Sequence, residues 1–317
     1  MESGGDVALQ AVRRGYQRRL VETPGVISTG GEQVACSLSI SAVPLNLDHL
    51  APHFRQLRTE WRVPNGEYFS EAVDLWRHAR ELVCGFFQIW KPRPPEPWLL
   101  ARREYCAFVR SVLSHSRHLD SELQVVRAIK AKELNDEGLL ARWEAIRETF
   151  EPNVVPEWVD DTTVRYAAQW LKDNVGLCWV EHVPVGRKLA ELTGLPYYGG
   201  EGLSDDGRNV EDETGSCIVS IAANSEGRNL QRYSKNLLVS VPPNGARLEQ
   251  LISRTHRDGQ LADTVEFDMI LACKEQHAGF LRAIQDAQYT QDSTGASQKL
   301  LIADLDVTGT GVGPLWE

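Results

Sequence analysis

The sequence predicts an α/β fold in which helices flank a parallel sheet, preceded by a mainly helical region. Two observations lead to this prediction. Short and almost wholly apolar runs recur between residues 151 and 290, and such runs are typical of strands that are buried on both faces of a sheet. Segments with helical spacing or polar loops separate these runs, as in consecutive β–α–β units.

We expect five strands in this part of the chain. They are predicted at 176–180, 195–198, 217–221, 237–241 and 264–271. The helices are predicted at 162–174, 185–192, 229–233, 246–256 and 274–288. The acidic, glycine-rich segment 199–215 is expected to form an exposed loop.

The first 150 residues predict helices with little strand. Apolar spacing indicates helices within 71–80, 98–112, 120–130 and 137–150, a strand within 82–90, and short strands or an irregular crossing within 22–42. We therefore expect three parts, namely a mainly helical region at 1–150, an α/β domain at 151–290 and a tail at 291–317. Within the tail, 300–303 predicts one last strand.

Composition limits the function classes. With 317 residues, of which 42% are hydrophobic, the chain has enough apolar material for one large or two modest domains. No apolar run reaches the roughly 20 residues that span a bilayer, and the first residues do not resemble a signal peptide, so we expect a cytoplasmic protein without a membrane partner. The six cysteines lack metal-binding spacing, so we expect neither disulfides nor a metal site. A net charge of −10 means that any contact with DNA must be local.

The most informative stretch runs from Gln250 to Gln260 and has the pattern Gln-x-x-x-Arg-x-x-Arg-x-Gly-Gln. On a helix, Gln250, Arg254 and Arg257 lie at spacings of four and three and therefore share one face. Guanidinium groups are planar, permanently charged donors that bind phosphate through paired hydrogen bonds. The pattern predicts a phosphate-binding helix that stops at Gly259. A surface helix whose arginines form ion pairs is the alternative interpretation.

These residues resemble the sixth conserved motif of superfamily 2 helicases, and the closing segment 256–260 resembles the Swi2/Snf2-type branch, which includes bacteriophage helicase-like proteins. The order of the preceding segments fits the same family: 176–182 resembles the fourth motif, 220–231 the fifth, and 241–245 the turn before the arginine helix. The resemblance implies a RecA-like C-terminal lobe, the second of two. It also implies that 1–150 is a helical linker or insertion region.

The resemblance also implies roles for individual residues. Arg254 and Arg257 would act as arginine fingers on the γ-phosphate of ATP bound with Mg²⁺. Further contacts are implied to the nucleotide at Gln250, Gly227 and Gln260, and to DNA at His182, Asn224, Arg228 and Asn229. Ser225 and Arg228 depart from the family, which commonly has glycine and leucine there.

The residues that would hold ATP are not found in this sequence. No Gly-x-x-x-x-Gly-Lys-Ser/Thr phosphate loop (Walker A) occurs, and Asp136-Glu137 lies among polar residues, whereas a magnesium-holding motif follows an apolar strand. We therefore expect two partners, DNA and an N-terminal lobe or separate subunit with a Walker A motif. This chain alone is expected to hydrolyse almost no ATP.

The predicted function is the second lobe of a DNA-dependent ATPase or helicase-like translocase. A catalytically silent DNA-binding or interaction module that keeps the lobe as a scaffold is the alternative. An independent small-molecule enzyme is disfavoured, because the sequence offers no nucleophile–base or metal pattern.

Overall fold

The computed structural model describes residues 11–13, 15–16, 18–19, 22–23, 34–116, 118–119, 121–151, 153–308, 310 and 315. The chain divides into two compact units. The sheet unit comprises the described residues of 1–46 together with 163–312. The helical unit comprises 47–162 together with Leu315.

The strands and helices are numbered in chain order over the described residues. The strands are β1 (Ser37–Val43), β2 (Phe86–Trp90), β3 (Val154–Trp158), β4 (Leu177–Val180), β5 (Tyr197–Tyr198), β6 (Cys217–Ser220), β7 (Lys235–Leu238), β8 (Thr264–Ile270) and β9 (Asp304–Asp306). The α-helices are α1 (Ala51–Glu60), α2 (Ala72–Val83), α3 (Glu96–His115), α4 (Glu122–Lys130), α5 (Leu139–Ile146), α6 (Thr162–Asp173), α7 (Val183–Thr193), α8 (Ile221–Asn224), α9 (Gly245–Ile252), α10 (Lys274–Thr294) and α11 (Lys299–Ile302).

The sheet unit is built on one parallel sheet with the strand order β5-β6-β4-β7-β8-β1-β9. Every neighbouring pair runs parallel, and the longest pairing joins β1 to β8 from Ser37 opposite Thr264 to Val43 opposite Ile270. The predicted fold class, an α/β protein with a RecA-like parallel sheet flanked by helices, is confirmed. Because all the strands run parallel, their N-terminal ends lie on one side of the sheet and their C-terminal ends on the opposite side.

The core of the sheet unit explains why the short apolar runs form strands. All four residues of β4 and all four of β6 are buried, as expected for strands covered on both faces. Trp179 is fully buried, and its indole Nε1 donates to Asn236 Oδ1 at 3.1 Å. Each large apolar side chain that is fully buried in this way contributes about 1.5–3 kcal/mol.

The sheet extends beyond the predicted α/β range of 151–290. Strand β1, from the N-terminal part of the chain, lies between β8 and β9, and β9 forms one edge. Serine alternates with apolar residues in β1, so it lacks a continuous apolar run, although Leu38 and Ile40 are buried. Of the segment 22–42, residues 24–33 lie outside the described residues, as do 309, 311–314 and 316–317 of the predicted tail.

Two local predictions in the sheet unit are wrong. The predicted helix at 229–233 is absent. The short helix α8 forms directly after β6, and the chain from Ser225 to Tyr233 consists of bends and turns. The predicted strand at 300–303 is helix α11, and the strand β9 follows it. A short apolar run does not distinguish a strand from a buried helical turn.

The helical unit contains the helices α1 to α5 and the antiparallel pair β2–β3. Tyr105, Val109, Val125 and Leu140 form its buried cluster on α3, α4 and α5. Among the described residues of both units, no helix combines the length and the apolar content that crossing a membrane requires.

Candidate functional site

The predicted arginine helix is shorter than the sequence indicates. Helix α9 begins at Gly245 and ends at Ile252, and the side chain of its N-cap, Asn244, accepts a hydrogen bond from the Arg247 backbone N–H at 3.0 Å. Arg254 and Arg257 therefore lie in the turn Ser253–Gln260, called the motif turn below, and do not share a helical face as predicted. Gly259 occupies the left-handed region at φ +84°, where glycine is favoured.

Tertiary hydrogen bonds explain why the helix stops early. Thr255 and His256 are buried, at 0% and 2% exposure, and both bond to the sheet. Thr255 Oγ1 accepts from Asn236 Nδ2 at 3.2 Å, and His256 Nε2 donates to the Cys36 carbonyl at 3.0 Å. These two bonds hold the residues that follow α9 against the sheet.

The motif turn covers the N-terminal ends of the strands. Cys36 directly precedes β1, and Tyr233, whose carbonyl accepts from Gln260 Nε2 at 3.0 Å, lies just before β7. The motif turn itself leads into β8, which lies between β7 and β1. The starts of three adjacent strands therefore fix its position.

The structure brings the two predicted arginines together. Arg254 Nε donates to the Gln250 carbonyl at 3.0 Å, and its Nη1 donates to the Arg228 carbonyl at 3.3 Å. Arg257 Nη1 donates to Asn229 Oδ1 at 2.6 Å. Burial lowers the pKa of Arg254, and the neighbouring positive charge of Arg257 lowers it further. Both guanidinium groups are partly exposed.

Within the described part of the chain, neither arginine forms an ion pair with a carboxylate, and the Nη2 groups of both make no hydrogen bond. Glu226 nevertheless raises the pKa of Arg254 through its negative charge, without a direct ion pair. Two neighbouring guanidinium groups that have no directly paired carboxylate suit an anion with several oxygen atoms, such as a phosphate.

A third cation, which the sequence analysis missed, lies beside this pair. Lys299 Nζ donates to the His256 carbonyl and, at 3.3 Å, to His256 Nδ1. Burial lowers the pKa of Lys299, Glu249 opposes this effect, and Arg257 and Arg254 lower the pKa further, so the three cations repel one another. Nothing in the sequence around Lys299 marks it, because only the fold brings α11 to the motif turn.

Glu249 anchors this lysine through the backbone. Its two carboxylate oxygens accept from the backbone N–H groups of Leu300 at 2.8 Å and Lys299 at 2.9 Å, at the start of α11. Burial raises the pKa of Glu249, although these hydrogen bonds and the lysine lower it. The carboxylate therefore holds the start of α11 against α9.

Four other predicted site residues surround the arginine pair. Arg228 Nη2 donates to the Glu201 carbonyl at 2.5 Å, and the Asn229 backbone N–H donates to Glu211 Oε1 at 2.7 Å. Gln250 and Gly227 are exposed, and Gly227 has a φ of +68°. The carbonyls of Gln250 and Arg228 and the side chain of Asn229 are bonded to the arginines, and the predicted ligand contacts of all four residues stay predictions.

The side chain of Gln260 forms hydrogen bonds within the chain. Its Nε2 donates to the carbonyls of Tyr233 at 3.0 Å and Thr255 at 3.1 Å, and its Oε1 accepts from the Ala262 backbone N–H at 2.9 Å. The side chain therefore holds the motif turn in place. The predicted contact of Gln260 with a nucleotide stays a prediction.

The remaining two residues that are predicted to contact DNA lie at the C-terminal ends of the strands. His182 follows the end of β4 and precedes α7, and Asn224 ends α8 just after β6. Asn224 is fully buried and donates to the carbonyls of Tyr198 and Ser220, each at 3.0 Å. A direct contact of the Asn224 side chain with DNA is therefore contradicted, because the amide has no exposed surface.

The buried imidazole of the motif turn gives a pH prediction. Since the Cys36 carbonyl only accepts, His256 carries its proton on Nε2, and Nδ1 accepts from Lys299. Burial lowers the pKa of His256, and Lys299 adds to this effect. A lowered pKa in the folded state contributes stability above the ordinary histidine pKa of about 6.5, and this stability is lost as the pH falls.

We expect the melting temperature to fall between about pH 8 and about pH 5.5, and to fall less in the variant His256→Gln, whose amide keeps a donor and an acceptor without titrating. Thermal unfolding across this pH range measures the effect. His115→Gln, at an exposed histidine, is the matched control and should follow the unmodified chain. An identical pH dependence in His256→Gln would contradict the assignment.

Comparison with solved structures shows a similarity, whereas two comparisons of sequence show none. No protein-family model and no curated protein matches the sequence. Among solved structures, the chain is similar to the crystal structure of the C-terminal part of the Fun30 ATPase domain. The two are 12% identical, the match covers 78% of this chain and 89% of that chain, and the TM-score is 0.39.

Proposed function

We propose that this chain provides the second, C-terminal lobe of a DNA-dependent ATPase of the helicase type. In this proposal Arg254 and Arg257 contact the γ-phosphate of an ATP molecule with Mg²⁺ that a phosphate-loop lobe holds, on another segment or a separate subunit. The lobe also contacts DNA. The Swi2/Snf2-like order of the motifs is the reason for choosing this class.

The arginine pair is the observation that carries the proposal. Its guanidinium groups lie next to each other without a paired carboxylate among the described residues, and both are partly exposed. Keeping two like charges this close costs free energy, since each disfavours the other. An anion that arrives with a partner removes this cost, and positive groups placed where charge develops on a transferred phosphoryl group lower the reaction barrier.

Lys299 and Asn229 extend the same site. Lys299 adds a third positive charge beside the pair, and the Arg257–Asn229 hydrogen bond links the sixth-motif turn to the fifth-motif segment. The backbone N–H of Leu230 also donates to the Arg254 carbonyl at 3.1 Å. A nucleotide bound by the arginines would therefore act on the segment to which the resemblance assigns DNA contacts.

The test is reconstitution. We expect no DNA-stimulated ATP hydrolysis from this chain alone, because it carries no phosphate loop. Hydrolysis should appear when the chain is mixed with a phosphate-loop lobe, for which the product of the adjacent upstream reading frame is the first choice. Phosphate release is measured with and without duplex DNA. Strong DNA-stimulated hydrolysis by this chain alone would contradict the proposal.

The rival function is a silent DNA-binding or interaction module. The internal bonds of Gln260 and the burial of Asn224 favour it, because both side chains serve the fold where the proposal would have them contact a ligand. Cross-linking of the chain to DNA, without any gain of hydrolysis from a phosphate-loop partner, would support this rival.

A further inference from the structure

The helical unit contains a second candidate site, away from the motif turn in sequence. A cavity of about 460 Å³ lies between the hairpin-like segment 62–68, the end of β2 and the first turns of α3. All the residues that line it belong to the helical unit. Its volume falls within the range of small-molecule sites, roughly 300–1,000 Å³.

The charges around this cavity leave an excess of positive charge. Its lining includes four arginines and three glutamates. Arg62 is paired with Glu60 at 2.9 Å, and Arg93 lies 3.7 Å from Glu96. Arg102 and Arg103 form no ion pair with any described carboxylate. The exposed Glu157 and the partly buried Glu67 are the remaining acidic groups of the lining.

Glu67 offsets this positive charge only in part. Burial raises the pKa of Glu67 to about 7, although Arg102, Asn65 and Arg93 lower it. At neutral pH about half of the Glu67 side chains are therefore protonated. A carboxyl group in this state both donates and accepts hydrogen bonds, as the edge of a nucleobase does.

The polar groups of the cavity are combined with aromatic faces. The Arg102 guanidinium carbon lies 5.1 Å from the centre of the Trp90 ring, and that of Arg62 lies 5.1 Å from the centre of the Tyr68 ring. Arg102 Nε is buried and has no hydrogen-bond partner among the described residues. Among the described residues, the one hydrogen bond of the Arg102 side chain is a long contact of 3.7 Å from Nη1 to Cys106 Sγ. A guanidinium group that stacks on an aromatic ring and has few hydrogen-bond partners is suited to bind an anion.

We propose that this cavity binds a nucleoside phosphate, either free or as one unit of a single strand. The base stacks on the guanidinium groups that lie over the Trp90 and Tyr68 rings, with Glu67 at its polar edge. The phosphate lies at Arg102 and Arg103. Stacking of a base contributes about 1–3 kcal/mol, and charge-assisted bonds to phosphate are the strongest polar contacts available here.

Calorimetric titration of the full chain tests this proposal. The probes are AMP, GMP, CMP and UMP, with ribose 5-phosphate and inorganic phosphate as controls that lack a base. We expect at least one nucleotide to bind with one-to-one stoichiometry and about tenfold or more tightly than ribose 5-phosphate. A short oligothymidylate compared with TMP distinguishes the source, since tighter binding of the strand identifies single-stranded nucleic acid and equal binding identifies a free nucleotide.

Variants connect the binding to the cavity. Arg103→Ala changes an exposed side chain and should weaken binding about tenfold by removing one phosphate contact. Arg127→Ala, at an exposed arginine of α4 outside the cavity, should bind as the unmodified chain does. The measured property is nucleotide binding and not hydrolysis, so the proposed ATPase role can fail without affecting this result.

Three results would overturn the proposal. The first is that none of the four nucleotides binds. The second is that ribose 5-phosphate or inorganic phosphate binds as tightly as the best nucleotide. The third is that Arg103→Ala leaves the affinity unchanged. In the first result the cavity binds no nucleotide, and in the second the base makes no contribution to binding. In the third, the phosphate binds elsewhere on the chain.

Discussion

Replacing Arg257 with alanine is expected to reduce DNA-stimulated ATP hydrolysis by the reconstituted lobes by about a thousandfold or more, with DNA binding nearly intact. Arg257 uses Nη1 for Asn229, so the rest of its fork is available for the γ-phosphate. The loss should fall on kcat, because the guanidinium stabilises charge that develops in the transition state. Steady-state phosphate release and DNA binding by fluorescence anisotropy measure the two properties.

Two further variants make this test specific. Arg247→Ala changes an exposed arginine on α9 in the same unit and should retain turnover. Arg257→Lys keeps the charge but loses the planar fork, and it should also lose most of the activity. Restored turnover that is insensitive to Arg257→Ala would overturn the arginine-finger assignment. A melting temperature close to that of the unmodified chain excludes unfolding as the cause.

The central strands of the sheet could be predicted because their own sequences determine their environment. Strands β4 and β6 are apolar enough that burial on both faces is their best arrangement, and the sequence places each within a few residues. Strand β1 could not be placed in the same sheet, because its alternating serines fit many half-buried strands. Its pairing with β8 joins residues more than two hundred positions apart, which no local pattern encodes.

The candidate site was predictable only in part for the same reason. The spacing of Arg254 and Arg257 identified the two groups that the fold brings together. It gave the wrong local structure, since the bonds from Thr255 to Asn236 and from His256 to Cys36 end the helix. Lys299 reaches the site through the packing of α11 on α9, which is likewise a tertiary effect.

Asn236 shows how strongly the sheet holds the motif turn, and its replacement by alanine is expected to cost about 2–4 kcal/mol of unfolding free energy. Asn236 is fully buried in β7 and accepts from Trp179 Nε1 at 3.1 Å. It donates to Thr255 Oγ1 and to the Glu266 carbonyl, both at 3.2 Å. Alanine leaves the buried indole N–H without its partner, removes the bonds to Thr255 and to the Glu266 carbonyl, and opens a small cavity, and each of these effects destabilises the folded state.

Urea denaturation followed by circular dichroism measures this effect as a lower midpoint with a similar slope. The matched control is Asn229→Ala in the same unit, where an exposed asparagine loses one bond to Arg257 and water replaces it, so the change should stay within about 0.5 kcal/mol. Because Thr255 loses its link to β7, Asn236→Ala should also weaken any function of the arginine pair more than its stability loss predicts. An Asn236→Ala midpoint equal to that of the control would show that Asn236 does not hold the motif turn against the sheet.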